Sequence, residues 1–269
     1  MKEIAMNDTP RMILPGLSGK RIAISAGAGG IGLCIARELA RQGARLAICD
    51  VDPAALKASS AALGAEVAML ADVSDEAQVA AFFKAIETGM GGLDALVNNA
   101  GIAGPTGGVD AISTADWRRC IDICLTGQFL CTHYAVPMLR AAGGGAIVNI
   151  SSSAGKFGYA FRTPYASAKW GVVGFTQSLA KELGPDNIRA NAILPGIIAG
   201  PRIEKVIAAR AEQTGVSHEA MTERYLSNVS LRRMTPPEDV ADMAAFLIAD
   251  TGRNLSGQSF PVDGNVETL

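Results

Sequence analysis

Short apolar runs rich in β-branched residues alternate along the chain with stretches of helical periodicity, and this alternation restricts the fold more than any other feature. The run Arg21-Ile22-Ala23-Ile24-Ser25 is followed by glycines, and apolar residues then recur at helical spacing from Ile31 to Arg41. That pattern reads as strand, turn and helix. Further runs at 44–50, 66–71, 93–97, 146–150, 188–194 and near 258–262 predict six more strands. Helices are expected at 53–63, 75–88, about 114–140, about 165–183, near 202–226 and at 237–249. Strands joined through helices pair in parallel by right-handed crossovers, which puts helices on both faces of the sheet. The expectation is an α/β chain with a doubly wound, seven-stranded parallel sheet.

A chain of 269 residues fits one core of this kind. Residues 1–18 are expected to be a partly ordered leader and 19–269 the domain. A charged helical insert at about 196–230 lengthens the link between the last two strands, where such inserts cover a ligand crevice. Formal net charge is −2, so no broad positive field exists to hold nucleic acid. Uninterrupted apolar stretches fall short of the roughly 20 residues that span a bilayer. Lys2, Glu3, Asp8 and Arg11 interrupt the apolar residues of 1–18, so no secretion signal is expected there. Five cysteines, an odd number without CxxC spacing, read as reduced and cytoplasmic. His133 and His218 lack partners at metal-ligand spacing, so no metal site is expected, and His133 reads as a helix-packing residue.

The first turn reads Ser25-Ala26-Gly27-Ala28-Gly29-Gly30-Ile31-Gly32. Backbone N–H groups at the start of the next helix can take a pyrophosphate, as in a Rossmann-type domain, although a tight turn without a ligand has the same spacing. Asp50 ends the second predicted strand, where a carboxylate can accept from adenosine ribose hydroxyls and repel a 2′-phosphate. That favours NAD over NADP. Asp50 could instead be a strand-end or helix-capping residue, and Asp52 is a competing cap. Arg37 and Arg41 lie within the following helix and read as solvated.

Tyr165 and Lys169 stand four apart on a predicted helix and so share a face. A free tyrosine titrates near 10, and a neighbouring cation favours its phenolate; Lys169 supplies one. Ser152 lies 13 residues before Tyr165, at a strand end, where its hydroxyl can bond a substrate oxygen. Spacing selects it over Ser151 and Ser153. Taken alone, a Tyr-x-x-x-Lys pair is an ordinary surface pair.

With the SAGAGGIG turn, Asp72-Val73, Asn98-Asn99-Ala100-Gly101, Ser152, Tyr165-Ala-Ser-Ala-Lys169 and Pro195-Gly196 in this order, residues 19–265 resemble the short-chain dehydrogenase/reductase family. The resemblance implies that Tyr165 exchanges the proton, Lys169 tunes it and holds the nicotinamide ribose, and Ser152 positions the carbonyl. It also implies that Ser25, Gly27, Gly29, Gly30, Ile31 and Gly32 form the cofactor turn and that Asp72 and Val73 meet the adenine. Asn99, with Ala100 and Gly101, would steady the sheet edge near the cofactor. Pro195, Gly196 and Ile198 would line the nicotinamide pocket. A homotetramer is the first expectation by resemblance and a dimer the second, and apolar residues on several faces of the long helices agree with burial between subunits.

The chain departs from the family pattern twice. Ala26 stands where the family has glycine, tolerable if its φ is negative. Cys124 stands where an asparagine usually supports a water chain from the lysine; it either packs as a small apolar group or leaves a slowed enzyme.

Substrate contacts are expected from 153–162, from 102–109 and from the insert. Tyr159, Arg162 and Arg202 lie there with Lys156. Arg162 and Arg202 could fork a carboxylate, or be solvated loop charges. Glu267, near the C-terminus, could reach an active site or lie in a loose tail. These readings predict an NAD-dependent oxidoreductase acting on a small polar molecule such as a hydroxy or keto sugar acid or a polyol. A carbonyl (3-oxoacyl-type) reductase, a dinucleotide-binding regulatory protein with little turnover, and a lyase or epimerase using bound NAD are the alternatives.

Overall fold

The computed structural model describes residues 12–267. In chain order it forms β1 (Arg21–Ser25), α1 (Gly30–Arg41), β2 (Arg45–Asp50), α2 (Pro53–Leu63), β3 (Val67–Leu70) and α3 (Glu76–Met90). Then follow β4 (Ala95–Asn98), α4 (Thr114–Ile121), α5 (Gly127–Ala141), β5 (Gly145–Ile150) and α6 (Thr163–Leu183). The last part holds β6 (Ile188–Pro195), α7 (Pro201–Thr214), α8 (His218–Ser227), α9 (Pro237–Ile248) and β7 (Ser259–Val262). All seven strands pair in parallel in the order β3-β2-β1-β4-β5-β6-β7.

Strand side chains alternate between two cores, as a period of two requires. Ala23, Ala47, Leu96 and Ile147 face Phe82 of α3, Leu139 of α5 and Leu183 of α6. Ile22, Ile24, Ile48 and Val97 face Ile35 of α1, Leu56 of α2 and Leu247 of α9. Strands buried on both faces read as continuous apolar runs, which is why they were visible in the sequence. The chain winds outward from β1 to β3 and then returns to β4 on the other side. This reversal opens a crevice at the carboxyl ends of β1 and β4.

Several elements differ from the sequence reading. The single helix expected at 114–140 is divided by a π-helical segment, Asp122–Thr126, that contains Cys124. Leu17, placed by the sequence in the leader, is fully buried in the second core, and the Asp250 N–H donates to the Pro15 carbonyl. Residues 1–11 of that leader, and Thr268 and Leu269, lie outside the described residues. His133 is exposed on α5, touching Phe129 and Tyr134, instead of packing inside. The insert folds as α7 and α8 around a small core of its own, with Ile207, Ala211, Met221 and Tyr225 at its centre. Among the described residues, no helix is long and apolar enough to cross a membrane.

Candidate active site

The phosphate-loop region is held by two polar side chains. Ser25, at the end of β1, accepts from the N–H groups of Asn99 and Ala100 at 3.0 and 3.1 Å. The Asn99 amide donates back to the Ser25 and Ala26 carbonyls at 3.1 and 3.0 Å. Gly32 is required where the helix presses on this latch, because a Cβ there would stand 2.1 Å from the Ala26 carbonyl oxygen. Ala26 itself has φ +50°, not the negative value that its methyl group favours. An L-residue in this left-handed region is strained, and glycine is the residue suited to it.

Asp50 closes the crevice from β2. Its carboxylate accepts from the N–H groups of Ala28, Val51 and Asp52 at 3.1, 2.8 and 3.2 Å. Asp52 is the cap of α2, accepting from Ala54 and Ala55. The capping reading therefore belongs to Asp52, and Asp50 faces the glycine turn. Arg37 is exposed, and Arg41 bonds Glu38 through two nitrogens.

At the other end of the crevice, β5 and α6 bring three side chains together. Pro164 opens α6, where a proline costs no helical hydrogen bond, and Tyr165 and Lys169 follow on the face toward β5. Lys169 is 3% exposed, and its ammonium donates to the Ile150 carbonyl at 2.8 Å. Its nitrogen lies 5.7 Å from the Tyr165 ring centre. Among the described residues, the Tyr165 hydroxyl has no hydrogen-bond partner. Ser151 and Ser153 are committed elsewhere, donating to the carbonyls of Lys169 and Pro195. Ser152 accepts from the Ala154 N–H at 3.1 Å and so keeps its own proton available for a ligand oxygen.

One cavity of about 350 Å³ joins the two ends, and Gly29, Gly30, Ile31, Asp50, Asn99, Gly101, Ser152, Tyr159, Arg162, Tyr165, Lys169, Pro195, Gly196, Ile198 and Arg202 all line it. Gly196 permits the approach of the C-terminal strand, since a Cβ there would meet Asp263 at 2.5 Å. The remaining predicted residues stand behind the wall: Ser25, Gly27, Gly32 and Ala100 shape the turn. Asp72 accepts from the Ser74 N–H and hydroxyl, and Val73 packs against Gly127. Lys156 is exposed over the Phe157 ring, and Glu267 accepts from Ser230 instead of entering the cavity.

Sequence reasoning missed two contributors. Tyr225 of α8 lines the cavity and its hydroxyl lies 2.5 Å from that of Tyr159, a pairing across 66 residues with no local signal. The other is the backbone of Ile102, in the loop from which substrate contacts were expected: its N–H and carbonyl meet the Cys124 sulfur at 3.4 and 3.5 Å. Cys124 is fully buried beside Cys120 and Ala168. A hydrogen bond from Cys120, then the charge of Lys169, pulls the Cys124 thiol below its usual range, and the same bond with burial pushes Cys120 up. Among the described residues, no group of three or more His, Cys, Asp or Glu could hold a metal.

A parallel sheet with a glycine turn at its switch point, and a serine, tyrosine and lysine converging across it, defines a dinucleotide-type oxidoreductase architecture. A family model described as enoyl-(acyl carrier protein) reductase matches residues 26–266. The chain belongs to the short-chain dehydrogenase/reductase family, as an oxidoreductase of CH–OH groups. It is 35% identical over 250 residues to galactitol 2-dehydrogenase of Agrobacterium fabrum (strain C58), covering 92% of this chain and 97% of that protein. It is 37% identical over 252 residues to trans-4-hydroxycyclohexanecarboxylate dehydrogenase of Sinomonas cyclohexanicum, covering 90% of each. The crystal structure of NAD⁺-bound xylitol dehydrogenase superposes with a TM-score of 0.89 at 27% identity, over 93% of this chain and 99% of that one.

Proposed function

We propose that the chain is an NAD-dependent oxidoreductase that interconverts a secondary alcohol and a ketone on a small polar substrate, with Tyr165 as its acid and base. The observation that carries this reading is the single cavity shared by the glycine turn, Asp50, Ser152, Tyr165 and Lys169. The relatives' names, which cover polyols and a hydroxy acid, support the same reaction type.

The residues fit the cofactor. N–H groups at the start of α1 would hold its pyrophosphate, and no side chain intrudes there, because a Cβ at Gly29 or Gly30 would meet nothing within 4 Å. Asp50 would take the adenosine ribose and repel a 2′-phosphate. Pro195, Gly196 and Ile198 would line the nicotinamide end. When bound, the dinucleotide supplies the acceptor or donor of hydride. Asp72 and Val73, which follow β3 outside the cavity wall, would meet the adenine.

In the direction of oxidation, the Tyr165 phenolate oxygen takes the proton of the substrate hydroxyl. Ser152 donates a hydrogen bond to the same substrate oxygen and holds it at Tyr165. The buried ammonium of Lys169, fixed by the Ile150 carbonyl and 5.7 Å from the Tyr165 ring centre, would hold the nicotinamide ribose and attract the negative charge that the tyrosine oxygen carries during proton transfer. In reduction, the Tyr165 hydroxyl returns the proton. The enzyme is proposed to act in the cytoplasm as a homotetramer, or failing that a dimer.

A screen of NADH absorbance across hydroxy acids, polyols and secondary alcohols tests the reading. Tyr165→Phe should then lower kcat on the best substrate by at least ~100-fold, while the rise in Tm caused by NAD⁺ is kept. Full-speed turnover by the Phe variant would refute the role of Tyr165. The strained Ala26 and the thiol at 124 favour a second reading, a dinucleotide-binding protein with little turnover, which a screen without any active substrate would support.

A further inference from the structure

The substrate end of the cavity carries positive charge that forms no ion pair among the described residues. Arg162 is 3% exposed and forms no ion pair among the described residues, and its guanidinium makes one hydrogen bond there, to the Ala103 carbonyl. Its Nε is buried without a partner. The guanidinium lies over two aromatic rings, 5.0 Å from the centre of Tyr165 and 5.1 Å from that of Tyr159. Arg202 approaches the Tyr165 ring from α7, at 6.0 Å, and also makes one hydrogen bond, to the Gly101 carbonyl at 3.1 Å. Lys169 completes a group of three cations around one ring.

The cavity lining contains one carboxylate, that of Asp50, at the opposite end. A guanidinium stays charged at any physiological pH, so it cannot relieve burial by losing its proton. Cation–π contact offsets part of the cost but leaves the hydrogen-bond donors unmet. The backbone is also strained at this point: Phe161, immediately before Arg162, has φ +64°. A bulky residue in that region persists only where its surroundings hold it, which marks a functional placement.

We infer that Arg162 and Arg202 form a receptor for a carboxylate on the substrate, so that the enzyme acts on hydroxy or keto acids in preference to neutral alcohols. This rests on the proposed oxidoreductase reading and names the substrate class for it. Two guanidinia anchored to neighbouring carbonyls of the 101–103 loop present fixed donors, and planar forks of this kind match a carboxylate in geometry as well as charge. Stacked on the Tyr165 ring, they set the distance between the carboxylate and the carbon that carries the reacting oxygen. The charge of the anion in turn supplies the neutralisation that the cavity lacks.

The test measures binding separately from turnover. Acetate, isobutyrate and cyclohexanecarboxylate, and their primary amides, are titrated into the purified protein by calorimetry, with and without NAD⁺. At least one carboxylate should bind ten or more times tighter than its amide, and Arg202→Met, an exposed change that spares folding, should erase that ratio. Arg162→Met should do the same wherever it folds. In kinetics, each variant should lower kcat/KM for 3-hydroxybutyrate more than for its methyl ester, whereas loss of a merely structural contact would lower both equally. Amides that bind as well as acids, or a preference that survives Arg202→Met, would overturn the inference. Oxidation of neutral alcohols without any preference for acids removes the receptor and leaves the oxidoreductase reading standing. Tight carboxylate binding without turnover of any alcohol does the reverse.

Discussion

At the scale of single residues, the two departures from the family pattern have different physical consequences. Ala26 keeps the path of the phosphate turn but holds a left-handed backbone that costs an L-residue about 1–2 kcal/mol. Glycine removes this strain and returns some of the gain as extra freedom in the unfolded chain. Ala26→Gly should therefore raise stability by about 1 kcal/mol, seen as a Tm increase of roughly 2–4 °C, with NAD⁺ bound at least as tightly. Cys124 already occupies the N–H and carbonyl of Ile102, so its sulfur is engaged with the backbone and not idle. Cys124→Asn should leave kcat within about threefold; a rise of tenfold or more would show that the thiol obstructs proton release. At Asp50, which is aimed at the glycine turn, replacement by Ser should reduce the preference for NAD⁺ over NADP⁺ in kcat/KM by about tenfold or more.

At the scale of elements, one ion pair fastens the middle of the sheet. Asp94, just before β4, accepts from the Arg21 backbone N–H, Nε and a terminal guanidinium nitrogen at 2.8–2.9 Å. These bonds tie β4 to the start of β1, the pair that frames the crevice. The hydrogen bond from Arg21 holds the Asp94 carboxyl below the usual carboxylate range, against the opposing effect of burial. A carboxyl depressed in the folded state stabilises the protein above its unfolded pKa, about 4, and that contribution fades as the pH falls through the folded value. Asp94→Asn should cost about 1–2 kcal/mol at pH 7, and urea melts should show the gap to the wild type narrowing below pH 4. A gap that stays constant with pH would assign the loss to packing. The π-helical turn at 122–126 belongs to the same scale: it carries Cys124 beneath Lys169, and such turns often mark functional sites.

At the scale of the whole molecule, apolar side chains remain uncovered on adjoining helices. Trp117 of α4, Phe129 of α5 and Trp170 of α6 are 38%, 49% and 51% exposed. Exposed apolar side chains of this kind are where the proposed association between copies is expected. Phe129→Glu combined with Trp170→Glu should lower the mass measured by light scattering from that of the assembly toward that of a single chain. An unchanged mass would place the interface on another face.

The chain order of strands and helices was readable from the sequence because the inner strands, β1, β2, β4, β5 and β6, are buried along nearly their whole length and the helices around them bury an apolar stripe, so burial wrote its period into local residue order. The turn at 25–32 and the Tyr165–Lys169 pair were legible for a similar reason: the residue types of each lie within eight positions of one another, although the contacts that hold them come from Asn99, Ala100 and Ile150. Other features arise from contacts that local spacing does not encode. The strain at Ala26, the break in the long helix, the Tyr159–Tyr225 pair across 66 residues and the burial of Leu17 depend on which elements meet. The same holds for the arginines. Sequence could equally make Arg162 a solvated loop charge or a ligand for an anion, and only the packing of α6 and α7 around Tyr165 shows it buried and, among the described residues, without an acidic partner. Local order thus determined the scaffold and the choice of Ser152, Tyr165 and Lys169 as the proposed catalytic residues, whereas the polarity of the pocket was decided by long-range packing, because desolvation depends on what surrounds a charge in space and not on what adjoins it in the chain.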